Sequence, residues 1–97
     1  MKFSVSNEAA KWLIEELDLE TGSYVEIYSK IYGGIPTVYP DYYLGITVED
    51  EIENDPTYKV VIDDVTFCIQ DGHDWLLNEY HLSLELIDDE VEYLFTK

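Results

Sequence analysis

The chain has 97 residues, room for one domain with a small core, and 46% of them are hydrophobic, which excludes a disordered chain. Five lysines stand against 22 acidic residues, a formal net charge of −17, and there is no arginine. That balance excludes ordinary nucleic-acid binding, which needs cations to displace counterions from phosphates, and it excludes docking on an anionic membrane.

Residues 7–18 carry a helical pattern. Ala10, Leu13, Ile14 and Leu17 recur at i, i+3, i+4 and i+7 and form one apolar stripe. Ser6 is placed as the N-cap, and Glu8 suits the positive end of the helix dipole. Trp12 falls beside the stripe, at its boundary or in solvent. The stretch from Asp18 to Gly22 ends the helix.

From Ser23 the period changes to two. Val25, Ile27 and Ile31 point one way and Tyr24, Glu26, Tyr28, Lys30 and Tyr32 the other. A Gly33-Gly34 connection follows, too short to cradle a phosphate and suited to backbone with positive φ. Tyr42, Leu44, Ile46 and Val48 then share one strand face, with Tyr39, Asp41, Tyr43 and Thr47 on its reverse. Residues 49–56 read as an acidic loop. "YKVVID" and "VTFCIQ" flank Asp63-Asp64 as a hairpin, and "HLSLELID" and "EVEYLFT" flank Asp88-Asp89 as another. Between them "DGHDWLLNE" reads as a short helical turn capped by Asp71, with Asp74 three residues on.

One helix and about six strands predict a mainly β, α+β domain: a small twisted sandwich or pseudo-barrel of mixed sheets with the helix covering one side. No nucleophile elbow, zinc-protease helix, phosphate loop or dinucleotide fingerprint occurs, so no catalytic residue is assigned. Asp71, His73 and Asp74 lie close in sequence, but capping explains the two acids, so no metal ligand is assigned. His81, at the start of a strand, is placed at the surface or its boundary. Cys68 is the only cysteine, so no internal disulfide or thiolate cluster can form from one chain, and no cofactor is assigned. Its alternation with Phe67 and Ile69 puts it on the opposite strand face, partly buried. The nine tyrosines suit two uses, cross-strand aromatic rungs or a protein-binding surface. Tyr24, Tyr28, Tyr32, Tyr39 and Tyr43 are the candidates for such a surface. The opening "MKFSVSNEAAKW" turns polar at once, unlike a signal peptide, and no apolar run is long enough to span a membrane, so a soluble cytoplasmic protein is expected.

The order of segments resembles the HesB/IscA family, the A-type carriers of iron–sulfur cluster assembly. "FSVSNEAAKWLIEEL" resembles the family's opening strand and helix, "IYGGIPTVYPDYYLGI" its glycine-flanked cysteine loop, and "YKVVIDDVTFCIQDGHDWLLNEYHLSLEL" its late hairpin, turn and strand. The resemblance implies a single HesB-like domain over residues 1–97. It places the family's ligand loop at Gly33, Gly34 and Ile35, where no thiol stands, and the family's C-terminal cysteine pair after Phe95-Thr96. No ligand carries over, and Cys68 matches none of them. The expected function is therefore a non-enzymatic interaction or accessory module with an unidentified protein partner, linked to iron–sulfur assembly by resemblance alone. Two alternatives stay open: an acidic mimic of nucleic acid that regulates a basic protein, and a carboxylate-based metal binder.

Overall fold

Ser6 starts the helix as expected. The computed structural model describes residues 2–97. In it the Ser6 backbone is extended, and its Oγ accepts the Ala9 N–H at 3.0 Å, satisfying one of the free donors of the first turn. A short strand β1 (Phe3–Val5) precedes the helix α1 (Asn7–Glu16). Ala9, Ala10 and Leu13 are its buried residues, while Leu17 is exposed and closes the helix, and Trp12 packs at the margin of the core. Asp18 takes a positive φ of 51°, and the Leu19 N–H reaches back to the Ile14 carbonyl at 2.9 Å. That is a Schellman ending with aspartate in the position glycine usually takes.

The strands follow in order: β2 (Tyr24–Lys30), β3 (Ile35–Pro36), β4 (Tyr43–Glu49), β5 (Tyr58–Ile62), β6 (Val65–Ile69), β7 (His81–Ile87) and β8 (Glu90–Thr96). They form two mixed sheets. One has the order β1-β7-β8 and the other β3-β4-β2-β6-β5. Neighbours are antiparallel except β1 with β7 and β2 with β6, which are parallel. The fold is thus β-rich with one helix and two mixed sheets. It exceeds the expected six strands by β1 and β3, three and two residues long, which are too short to show an alternating pattern.

Both hairpins sit where the sequence put them. Ile62 pairs with Val65 across Asp63-Asp64, and Ile87 with Glu90 across Asp88-Asp89. All four aspartates have positive φ, between 51° and 66°, so each pair forms the two-residue turn whose twist matches that of its strands. The turn after β6 departs from expectation. A four-residue 3-10 helix (Asp74–Leu77) begins after His73, and no side chain caps it. Gly72, at φ 95°, and the bond from the His73 N–H to the Gln70 carbonyl turn the chain before Asp71 can act as a cap.

Phe3, Leu13, Val25, Ile27, Leu44, Phe67, Ile69, Leu76, Leu77, Leu82 and Leu84 make the centre of one core between the two sheets and the helix. Lys2 joins the first strand to the 3-10 helix by donating from Nζ to the Leu77 carbonyl at 2.9 Å and the Asn78 carbonyl at 3.1 Å. No described helix is long and apolar enough to cross a membrane.

Candidate functional site

Cys68 is not on an open face. Phe67, Cys68 and Ile69 are all buried, because β6 lies inside its sheet with Glu26 of β2 and Lys59 of β5 as the register partners of Cys68 on either side. Burial pushes the thiol up to about 11, and the nearby Glu26 carboxylate adds to the effect. A thiol so placed is neither a nucleophile nor a ready metal ligand at neutral pH.

His73, grouped in sequence with Asp71 and Asp74, has partners elsewhere in the fold. It is half-buried, and its Nδ1 accepts the Ser29 N–H at 3.1 Å and lies 2.9 Å from Ser29 Oγ. The Tyr28 ring meets the imidazole edge-on at 6.0 Å. Because a backbone N–H already occupies Nδ1, that lone pair is committed and the ring's proton sits on Nε2. The pair has the residue types of a hydrolytic dyad, but the geometry is that of a clasp holding the turn to β2.

The acidic loop forms an open cleft of about 640 Å³, where Glu49, Glu51, Glu53 and Asp55 face Glu26 and Asp71. Gln70 Nε2 donates to Glu26 Oε1 at 3.0 Å across its floor. Among the described residues no three His, Cys, Asp or Glu side chains converge closely enough to hold a metal ion. The carboxylates are spread along a solvated rim.

The five candidate tyrosines do not share one surface. Tyr24 lies at the acidic-loop end, beside Pro56 and Lys59. Tyr28 lies over its register partner Gly45, where any Cβ would overlap the ring. Tyr43 is half-buried opposite Lys30 and Pro36. Tyr39 is an anchor: its hydroxyl donates to the Leu76 carbonyl at 3.1 Å, and its ring stands edge-on to Trp75, Tyr80 and Phe95 at 5.0, 5.6 and 6.4 Å. Burial raises its pKa, with Glu79 and Tyr80 contributing. Only Tyr32 of the five is in the open, at 84% exposure.

The loop that carries Tyr32 holds further exposed apolar residues that sequence patterning assigned elsewhere or passed over. Ile31, expected on the core face, is 56% exposed, because β2 ends at Lys30 and the chain bends away. Val38 and Tyr42 are exposed at 43% and 39%. Tyr42 is supported from beneath by Trp75, 4.9 Å away between ring centres. The sequence carried one usable signal for this patch: between residues 27 and 48 the only charged side chains are Lys30 and Asp41, although the whole chain carries −17.

The fold and these surfaces define a small, acidic, β-rich domain whose exposed features are a carboxylate rim at one end of β4 and an aromatic loop with a single charged residue, Asp41, at the other. The chain belongs to the family of a Bacillus subtilis (strain 168) protein named pyruvate dehydrogenase inhibitor, to which it is 30% identical over 95 residues, 98% of this chain and 97% of that one. It is also 25% identical, over all of its length and 99% of the relative, to an uncharacterized protein of Staphylococcus aureus (strain MRSA252). An uncharacterized protein of Staphylococcus aureus (strain USA300) is 24% identical over 96% of this chain and 97% of its own. No family model and no solved structure matches the chain significantly.

These findings correct the HesB/IscA resemblance. No model of that family matches, and the full-length relative that defines the family has a different name. The physical reason is visible in the loop. Gly33 and Gly34 have φ of 64° and 129°, so the glycines serve the backbone turn, and a turn of this kind resembles a ligand loop in sequence without holding a ligand. The link to iron–sulfur assembly falls with the resemblance.

Proposed function

We propose that this chain is a non-enzymatic protein inhibitor that binds pyruvate dehydrogenase. One observation carries the reading: the 30% identity, over nearly the full length of both chains, to a Bacillus subtilis protein named pyruvate dehydrogenase inhibitor. Two structural features support it. The imidazole of His73 spends its free lone pair on the Ser29 backbone, which fits a binding module better than a hydrolase. A formal charge of −17 steers the chain toward a basic protein surface and speeds encounter at low salt.

The test is a titration of purified protein into a purified pyruvate dehydrogenase assay. Pyruvate oxidation should fall with added protein and level off at a fixed molar ratio. Raising the salt should slow the onset of inhibition, because the steering charge is screened over roughly 10 Å at 0.1 M. An enzyme whose rate is unchanged at a large molar excess, with no complex detected by sedimentation, would refute the proposal.

A further inference from the structure

Residues 31–42 connect β2 to β4 at one end of the five-stranded sheet. The connection is held in several ways. Thr37 Oγ1 accepts the Tyr39 N–H at 3.0 Å and donates across the loop to the Tyr42 carbonyl at 2.9 Å. Ile35 and Pro36 pair with Leu44 and Tyr43 as β3. Tyr39 is locked into the aromatic cluster and bonded to the Leu76 carbonyl. A chain segment fixed this firmly could have turned its apolar side chains inward or done without them. Instead it holds Ile31, Tyr32, Val38 and Tyr42 in water. Four exposed apolar side chains on one short loop of a small domain mark an interaction surface, and a pre-ordered aromatic loop loses little entropy on binding.

The charge around the loop says what fits it. Asp41 lies within it, Asp74 adjoins Trp75 beneath it, and Glu79 is close enough to Tyr39 to raise its pKa. Two lysines also stand there: Lys30, directly before Ile31 with its side chain beside Gly34, and Lys97, whose Nζ lies 5.3 Å from the Tyr80 ring. The apolar centre is thus edged by three acids and two lysines, on a molecule whose net charge is −17. A second copy of this chain would bring the same rim and another −17 against it, which disfavours self-association. A basic rim on the opposite surface would pair with these acids and leave the centre to apolar contact.

We propose that residues 31–42 are the docking surface for a partner protein whose complementary face is apolar at its centre and lined by lysine or arginine at its rim. This rests on the inhibitor reading, which makes pyruvate dehydrogenase that partner. The carboxylate cleft at the far end of β4 is then not the contact.

The experiment compares three variants with the parent protein in the pyruvate dehydrogenase titration, with affinity also measured directly on the purified enzyme. Ile31→Ser/Tyr32→Ser removes two exposed side chains and should leave the fold intact, as thermal melting will verify. It should weaken binding and inhibition by about tenfold or more. Asp41→Asn/Glu79→Gln should slow association and flatten its dependence on salt. Glu51→Gln/Glu53→Gln, at the other end of the molecule, should change affinity by less than about threefold. Equal inhibition by the parent and the Ile31→Ser/Tyr32→Ser variant would overturn the docking surface and leave the inhibitor reading standing. A loss confined to the Glu51→Gln/Glu53→Gln variant would move the contact to the cleft. A parent protein that neither binds nor inhibits the enzyme would overturn the inhibitor reading and this surface with it. A parent dimer in sedimentation that Ile31→Ser/Tyr32→Ser dissociates would show that the occupant is a second copy, against the proposal.

Discussion

His73 Nδ1 receives the Ser29 backbone N–H at 3.1 Å from a residue 44 positions away in the chain. The contact satisfies a strand N–H that β2 would otherwise leave without a ladder partner on that side. It also fixes the turn between β6 and β7, from which Trp75 and Leu76 support the aromatic loop. Loss of the acceptor leaves a half-buried donor without a partner, which costs roughly 1–3 kcal/mol. His73→Phe, which keeps a ring beside Tyr28, should therefore destabilise the protein by about that amount in urea unfolding. A variant as stable as the parent would mean that water replaces the imidazole at no cost.

The thiol of Cys68 gives a prediction with a definite sign. Its reference value is 9.0, and burial pushes it up to about 11 in the folded protein. The folded state therefore holds the proton more tightly than the unfolded state. This contribution to stability is fully present below pH 9 and is lost as pH rises from about 9 to about 11. The partly buried Tyr93, pushed up to about 12 by desolvation, acts in the same direction at higher pH. Comparison with Cys68→Ala isolates the thiol: the parent should lose more stability than the variant between pH 8 and pH 10.5. Parallel curves for the two proteins would show that the thiol ionises freely in the native state. At pH 7.5 the native protein should also react with a thiol-specific dye only as fast as it unfolds.

Asp63-Asp64 and Asp88-Asp89 were legible as turns from their residue types and from the alternation on either side. The helix was legible from its apolar stripe and from Ser6. Local signals of this kind need only a few neighbouring residues. The Ser29–His73 clasp and the burial of Cys68 depend on β2 packing beside β6, a pairing between distant segments that no short window records. Ile31 shows the same limit in reverse. It continues the parity of Val25 and Ile27, so patterning places it in the core, but the strand stops one residue earlier and leaves it 56% exposed. The loop that carries the docking proposal was thus hidden because exposed apolar residues look like core residues when only the sequence is read.

The hairpin turns leave stability unclaimed. Each aspartate at positive φ pays a steric cost of about 1–2 kcal/mol, eased in part by the tolerance of aspartate for that region. Glycine avoids that cost but loses roughly 0.5–1 kcal/mol of backbone entropy. The difference favours Asp64→Gly and Asp89→Gly by up to about 1 kcal/mol each, and each change also removes a like charge from its neighbour. Thermal melting should show a small rise in midpoint for both and a larger one for the double variant. A fall in either midpoint would indicate that the aspartate side chain bonds to the turn backbone.

Gly33 and Gly34 stand side by side in the loop, but their surroundings predict different responses to alanine. Gly33 sits at φ 64°, in the left-handed region that L-residues enter at moderate cost, and a Cβ there would meet nothing within 4 Å. Gly33→Ala should cost about 1 kcal/mol. Gly34 sits at φ 129°, a region essentially restricted to glycine, and a Cβ there would fall 2.6 Å from the Leu44 carbonyl oxygen. That oxygen belongs to β4, beside its pairing with β3, and cannot move without opening the sheet end. Gly34→Ala should therefore cost about 2 kcal/mol or more and should displace residues 31–42 as well. The two variants separate stability from binding. Gly33→Ala should keep the loop and inhibit nearly as well as the parent at a temperature where both are folded. Gly34→Ala should bind poorly even when folded, because Ile31 and Tyr32 no longer hold their places. Equal costs for the two alanines in urea unfolding would show that the loop relaxes around Gly34, and that its backbone is less firmly set than the contacts of Thr37 and Tyr39 require.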